Sequence, residues 1–435
     1  MAERNRKYFR EDSFFNIPKS GDIFPLKFIC TEFSKYGANL SAENYVTEGS
    51  RFIRTSDIDD NGKLSAEGVY IDEQLVEEYK LKEGDFLISR SGTLGRGYLY
   101  SVKDGLCSYA GYLVKYSLNK NIANPKFIFY CTKTKQFNGW LDYSVIEATI
   151  GNINGEKYAN LPLPLPSLTQ QDKIVDYLDQ EIAKIDALIE KKNQLINILE
   201  QKKKAVINQT VTKGLDLNGS MKNSEIEWLG EIPKHWEVVK LKYFIDINYG
   251  LSQPPEYLDN GTPLIRATNV FRGKISEKDM VYIDAEQLDS NKKITLKKGD
   301  IIIVRSGAYT ADSAIITEEY ENSIAGFDMV IRAKDLLFNK YLSYVLLSDY
   351  MLNKQLIPMR VRAAQPHLNA EEVGSTALVL PPLEEQATIV KYLEMFLQHN
   401  EKSISLINSS IELLKEKRTA VISAAINGEL NASLS

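Results

Sequence analysis

Between Gln170 and Val211 the chain has neither proline nor glycine, and its apolar residues recur in alternating steps of three and four. Val175, Leu178, Ile182, Ile185, Ile189, Ile196, Leu199 and Val206 carry the series, with Lys192 and Lys203 as polar interruptions. This spacing is a heptad seam, and its length favours a coiled coil over an ordinary amphipathic helix. At about 1.5 Å per residue it predicts a rod of roughly 60 Å. Helices on the surface of compact domains are usually much shorter. Such a rod cannot bury its own seam and needs a second helix. The preceding Leu163-Pro164-Leu165-Pro166 predicts a stiff, extended lead-in.

The second helix lies in the same chain. Leu378-Val379-Leu380-Pro381 precedes another seam of Val390, Leu393, Leu397, Ile404, Ile407, Ile411, Leu414 and Val421, interrupted by Asn400 and Arg418. Gln171 recurs as Gln386, and the two segments match without a gap. The correspondence extends upstream at the same offset. Ile17-Pro18-Lys19 recurs as Ile232-Pro233-Lys234, and Leu26-Lys27-Phe28 as Leu241-Lys242-Tyr243. The stretch Leu81-Lys82-Glu83-Gly84-Asp85 through Arg90-Ser91-Gly92 recurs as Leu296-Lys297-Lys298-Gly299-Asp300 through Arg305-Ser306-Gly307. The chain is therefore two tandem copies of one unit, a globular domain followed by a long helix.

The expected layout is a polar lead over 1–16, a first domain over 17–162 and a first helix over 163–214. A connector and second domain follow over 215–377, and a second helix over 378–435. The domains read as mixed α/β. Phe86-Leu87-Ile88 and Ile301-Ile302-Ile303-Val304 follow Gly-Asp turns and predict buried strands, and Tyr109 to Tyr116 and Ile324 to Ile331 predict further strands. Asn124 to Lys135 and Asn339 to Lys354 predict helices. With 435 residues the chain is too long for one core. No apolar run approaches the roughly 18 residues of a membrane span. The polar N-terminus does not resemble a secretory signal. Cys30, Cys107 and Cys131 form no CxxC pair, which argues against a disulfide framework or zinc site and fits a reducing cytoplasm. A net charge of −5 argues weakly against nucleic acid. A bound phosphate, however, senses only the local field.

The repeat resembles the specificity subunit of type I restriction–modification systems. The resemblance rests on the doubled Leu-x-Lys-x-Gly-Asp…Arg-Ser-Gly segment, on Gly261-x-Pro263-Leu264-Ile265-Arg266 with Asn269, and on Leu380-Pro381-Pro382-Leu383-Glu384-Glu385-Gln386 with Ile389 and Leu393. It covers the whole chain. It implies two target-recognition domains, each reading half of a bipartite DNA sequence, separated by helices that pair as an antiparallel coiled coil. It also implies two methylation subunits on those helices and motor–nuclease subunits in the restriction complex. S-adenosylmethionine, ATP and magnesium are then expected on those partners and no cofactor on this chain. The first repeat departs from the pattern at Ser167-Leu168-Thr169-Gln170-Gln171, and Ser50-Arg51-Phe52 lacks the Gly-x-Pro of the second.

No catalytic constellation is evident. Gln253-Pro254-Pro255-Glu256 lacks the polar lead and the aromatic follower of an adenine methyltransferase loop and reads as a proline turn. Gly92-x-x-Gly95-x-Gly97 lacks the Lys-Ser/Thr of a phosphate loop. His235, His367 and His399 have no metal spacing. Arginine pairs with guanine edges, and Arg, Lys, Ser and Thr hold phosphates. Candidate DNA contacts are Arg54, Arg90, Ser91 and Arg96 in the first domain and Arg266, Arg305, Ser306 and Tyr309 in the second. Arg54 and Arg266 sit inside repeated apolar runs and admit a second reading, as structural residues paired with acids. Lys354, Arg360 and Arg362 lie in an acid-free stretch, Lys354 to His367, whose first-half counterpart contains Asp142 and Glu147. That stretch reads either as a phosphate clamp or as a solvated loop. The leading reading is a DNA-recognition subunit without its own catalysis; its rivals are an assembly scaffold whose globular repeats bind protein, and a stand-alone methyltransferase or nuclease, which the missing motifs disfavour.

Overall fold

A computed structural model describes residues 22–146, 152–216, 218–289, 293–360 and 366–429. The polar lead and Ile17-Pro18-Lys19 lie outside them. The chain divides into two compact units. One comprises residues up to Lys192 together with those from Asn408 onward, and the other runs from Asn193 to Ile407. The two long helices, Leu168–Lys213 and Leu383–Ile426, each contribute one half to either unit.

Within the first unit, a four-stranded antiparallel sheet has the order Lys35–Tyr36, Leu113–Ser117, Asp85–Ser89, Gly97–Leu99. A second sheet orders Tyr45–Val46, Val69–Ile71, Ser50–Ile53 and Cys107–Tyr109, the last pair parallel. The second unit repeats this plan. Ile245–Tyr249, Met329–Ala333, Ile301–Ile303 and Ser313–Ile315 form one sheet, and Val281–Ile283, Thr262–Ile265 and Ile324–Ala325 the other. The parallel pairing recurs there between Thr262–Ile265 and Ile324–Ala325. The repeat seen in the sequence is thus a repeat of topology.

The expected strands at 86–88 and 301–304 are buried central strands. The expected single strands at 109–116 and 324–331 each divide in two. Cys107–Tyr109 lies in one sheet and Leu113–Ser117 in the other, with a turn between them closed by the Leu113 N–H on the Ala110 carbonyl at 2.9 Å. Gly37 passes hard against this crossing, where a Cβ would sit 2.3 Å from the Tyr109 carbonyl oxygen. Gly250 does the same in the second unit, 2.0 Å from the Gly326 oxygen. Apolar and aromatic residues run on through the turn, so the sequence pattern hides it. The helices also break up. Pro125–Cys131 is capped by the Asn124 side chain and is followed by Lys135–Ile146. Asn339–Leu347 ends before a second helical segment that widens into a π turn over Leu352–Leu356. The proline-rich lead-in is an extended strand, Pro162–Leu165, paired antiparallel with Asp22–Pro25. Its missing N–H groups are tolerated because this sheet has only two strands.

The long helices pack side by side in opposite directions. In the first unit Ile174, Val175, Leu178 and Ile182, from the start of one, share a core with Val421, Ile422, Ala425 and Ile426, from the end of the other. Asp186 pairs there with Arg418 at 3.1 Å. In the second unit Val206, Ile207 and Val211 share a core with Ile389, Val390, Leu393 and Leu397. Ile185 and Ile411 are also buried. Ile189, Lys192, Ile196, Leu199, Lys203, Ile404, Ile407 and Leu414 are half-buried. Asn400 is buried, and its amide nitrogen has no hydrogen-bond partner.

One buried glutamine fixes each domain to its helix. Gln171 accepts the Asn124 N–H at 2.8 Å and donates to the carbonyls of Ile122 and Pro166 at 3.1 and 2.9 Å. Gln386 accepts the Phe338 N–H at 2.9 Å and donates to Leu336 and Pro381 at 3.0 and 2.9 Å. Both side chains are fully buried, so every amide group needs its partner; stranding one costs about 1–3 kcal/mol. The neighbouring Glu385, where the first repeat has Gln170, holds His235 at 2.6 Å and the Trp236 indole at 2.9 Å.

Candidate nucleic-acid interface

The Arg-Ser-Gly segments end the central strands of both domains. In the first domain the Arg90 N–H donates to the Tyr112 carbonyl at 2.9 Å, and its own carbonyl accepts from Ile153 at 3.0 Å. The guanidinium lies 4.7 Å from the Tyr36 ring, and Nε donates to Asn152 Oδ1 at 3.3 Å. The Tyr36 hydroxyl accepts the N–H of Gly155, the first residue of the helix Gly155–Ala159, at 2.9 Å. Strand end, tyrosine and helix start therefore lock one another in place.

The second domain rebuilds this arrangement. The Arg305 carbonyl accepts from Leu368 at 2.8 Å. Its guanidinium lies 4.7 Å from Tyr249 and 4.2 Å from Phe327. The Tyr249 hydroxyl accepts the N–H of Ala370, the first residue of Ala370–Ser375, at 2.8 Å. Arg305 Nε is buried without a partner. Asp328 Oδ1 accepts the Arg305 N–H at 3.2 Å, whereas Oδ2 has no partner. Burial pushes the Asp328 carboxyl up to about 6, against the pull of the Arg305 N–H and its charge. Neither Arg90 nor Arg305 has a carboxylate within ion-pair distance among the described residues. The sequence did not single out Tyr36, Tyr249, Tyr112 or Phe327. The available signal was an aromatic at both Tyr112 and Phe327, which stand at the offset of the repeat.

The other sequence-selected cations are differently engaged. Arg54 forms a two-point pair with Asp57 at 3.0 and 2.7 Å, which holds its guanidinium protonated far above its ordinary range. Asp57 also accepts the Arg54 N–H at 2.9 Å, capping the turn Thr55–Asp57. Arg266 has Asn269 in that place, and its guanidinium donates to the Asp279 carbonyl at 2.6 Å. Arg96 pairs with Asp60 at 2.8 Å. Arg360 donates to the Thr310 carbonyl at 2.9 Å. Ser91 and Ser306 are half-buried, Ser306 in a β-bridge with His367. Lys354 is exposed, and Tyr309 stands exposed with its ring edge-on to Phe271. Arg362 lies outside the described residues. Arg272, also passed over in the sequence, lies 5.1 Å from the Phe271 ring. Burial raises the nearby Asp312 carboxyl, opposed by Arg272 and Arg360. Arg266, Arg272, Arg305, Tyr309 and Arg360 all belong to the second unit.

The first unit also has a cleft of about 620 Å³, lined by Phe129, Tyr130, Lys133, Phe137 and residues of both long helices. Its rim charges are largely matched internally. Lys126 pairs with Asp179 at 2.6 Å, Arg96 with Asp60 at 2.8 Å and Arg418 with Asp186 at 3.1 Å. Lys133 donates to the Asp60 carbonyl at 3.0 Å, and burial lowers it to about 8. No group of His, Cys, Asp or Glu among the described residues could hold a metal ion. No described helix is long and apolar enough to cross a membrane.

The family model for the type I restriction modification DNA specificity domain matches residues 7–198 and 233–413, and the chain belongs to that family. It is 26% identical over 360 residues to the type I restriction enzyme MjaVIII specificity subunit of Methanocaldococcus jannaschii, covering 81% of each chain. It is 24% identical over 394 residues to the EcoKI specificity subunit of Escherichia coli, covering 87% of this chain and 82% of that one. Among solved structures, a chain from a study of assembly and conformational transition in a type I system matches with a TM-score of 0.65 at 18% identity. That match covers 96% of this chain and all of the other. The HsdS subunit of Thermoanaerobacter tengcongensis matches with a TM-score of 0.50 at 19% identity, covering 95% and 98%. At these identities the structural likeness speaks for the fold.

Proposed function

We propose that this chain is the DNA-reading subunit of a type I restriction–modification complex, each repeat recognising one half of a bipartite duplex target. The carrying observation is the arginine at the end of the central strand, held on aromatic rings in both repeats without a carboxylate partner among the described residues. Membership of the specificity family supports the same reading. The long paired helices scaffold two methylation subunits and set the spacer between the half-sites. Motor–nuclease subunits join this assembly for restriction. Methyl transfer and cleavage then belong to the partners, which bind S-adenosylmethionine, ATP and magnesium, and the complex works in the cytoplasm.

The test is duplex binding by the purified full chain across a salt series. Recognition through phosphates gives affinity that falls linearly on a log–log plot as salt rises. With methylation subunits present, one bipartite sequence should be preferred by several orders of magnitude over random duplex. An assembly scaffold that binds only protein shows neither behaviour. Transfer of a labelled methyl group to DNA by the purified chain without partners would instead establish catalysis on the chain itself.

A further inference from the structure

The two clamped arginines, Arg90 and Arg305, admit a more specific assignment, which rests on the DNA-reading function. We propose that they are phosphate anchors, one for each half-site, and that base discrimination lies elsewhere in each domain. Three observations lead there.

The first is repetition. Arg90 and Arg305 occupy the same place in the two repeats and end equivalent strands. Each lies 4.7 Å from a tyrosine ring, and each tyrosine hydroxyl accepts the first N–H of the following short helix. Two half-sites of different sequence share only one chemical feature, the sugar–phosphate backbone. A side chain and setting kept in both readers suits what is common to both sites. Base-edge contacts instead follow the bases.

The second is charge. A half-buried guanidinium is partly desolvated, and that cost is normally offset by a carboxylate. Arg54 and Arg96 have theirs in Asp57 and Asp60. Arg90 and Arg305 have none among the described residues, and Arg305 Nε lacks even a neutral acceptor. Asp328 bonds the backbone of Arg305, not its guanidinium. Ring faces attract a cation without neutralising it, and the buried Asp328 carboxyl feels the Arg305 charge but makes no ion pair with its guanidinium, so that charge stays open to an external anion.

The third is rigidity. The backbone of each arginine is bonded on both sides, through Tyr112 and Ile153 in one domain and through Asp328 and Leu368 in the other. Tyr112 is 65% exposed and Phe327 45% exposed, so the ring beside each arginine's strand end stands at the surface. A planar, pre-held guanidinium loses little freedom when it meets the equally rigid oxygens of a phosphate.

The experiment uses the full chain with Arg90→Ala, Arg305→Ala and the two lysine replacements. Each is titrated with random-sequence duplex over a salt series, and duplexes are then selected from a random library with methylation subunits present. Anchoring predicts that each alanine variant binds all duplexes about tenfold more weakly. The log–log salt slope falls by about one per arginine. The selected half-site bases stay those of the parent, and the lysine variants recover most of the affinity. Altered bases in one selected half-site would overturn the anchor assignment and make that arginine a base reader. A lowered melting temperature with unchanged affinity and slope would overturn it in favour of a structural role. Failure of the parent chain to bind duplex at all would remove the DNA-reading function itself, a result distinct from either variant outcome.

Discussion

The two repeats share a skeleton and differ in how they place charge. Both fix a domain to a long helix with a buried glutamine, Gln171 or Gln386, and both set an arginine on a tyrosine. Around these constants the side chains diverge. Arg54 is tied to Asp57, while the matching Arg266 faces Asn269, an amide that cannot neutralise it. Leu113 stands at the place where the second repeat has Asp328. Positions that hold a domain in shape are thus kept, and those that set the local field are varied. That is the expected division when one scaffold reads two different sequences.

The largest losses are expected at the paired helices, where the repeats are most alike. Leu178 and Leu393 are equivalent and fully buried, one in each unit. Replacing either with alanine should cost about 2–5 kcal/mol, with similar shifts in urea midpoint for the two variants. Ile189→Ala, at a half-buried seam position, should cost clearly less. An equal loss at Ile189 would show that the seam is as tightly closed there as under the domains.

Exchanging the capping residues probes the difference in charge. Asp57→Asn should lower stability by about 1 kcal/mol, towards the weak end for a charged hydrogen bond because Arg54 is partly exposed. Asn269→Asp supplies Arg266 with a carboxylate but loses the bonds that the buried Asn269 amide donates to the Ser276 and Lys278 carbonyls at 3.1 and 3.2 Å, so it should weaken duplex binding several-fold and also lower the melting temperature. Unchanged binding in the second variant would remove Arg266 from the interface.

Asp328 gives a smaller, pH-dependent effect. Its carboxyl is raised from 3.8 to about 6 in the folded chain by burial, against the nearby Arg305. The folded form therefore holds the proton to higher pH than the unfolded form. The associated stabilisation is complete below 3.8 and is lost as pH rises through about 6. Asp328→Asn carries no such loss. It should melt above the parent at alkaline pH, and the gap should close on acidification. A gap that is constant with pH would mean that folding leaves the Asp328 carboxyl unshifted.

Much of this was legible in the sequence. Heptad spacing and the ungapped match of Gln171 onward with Gln386 onward locate both long helices, because periodicity and repetition are one-dimensional signals. The split strands at Ala110 to Tyr112 were not legible, since apolar and aromatic residues run on through the turn. The arginine clamps were half legible. Arg90 and Arg305 stand out as repeats, but Tyr36 and Tyr249 lie at a slightly shorter offset, because the loops around them differ in length. Contact between a strand end and a distant ring is tertiary information. The same holds for the bonds of Gln171 and Gln386, which as sequence are only a repeated letter.

If the repeats read two half-sites and the long helices set the spacer, lengthening the helices must lengthen the spacer alone. Inserting one heptad after Gln194 and another after Ser409 keeps the seam in phase and extends the helices by roughly 10 Å. At about 3.4 Å per base pair, the expected methylated target has both half-sites unchanged and a spacer longer by up to about three base pairs. Methylation mapping of cells carrying this variant with its methylation subunit reads this directly. Altered half-site bases with an unchanged spacer would contradict the role of the helices as the ruler.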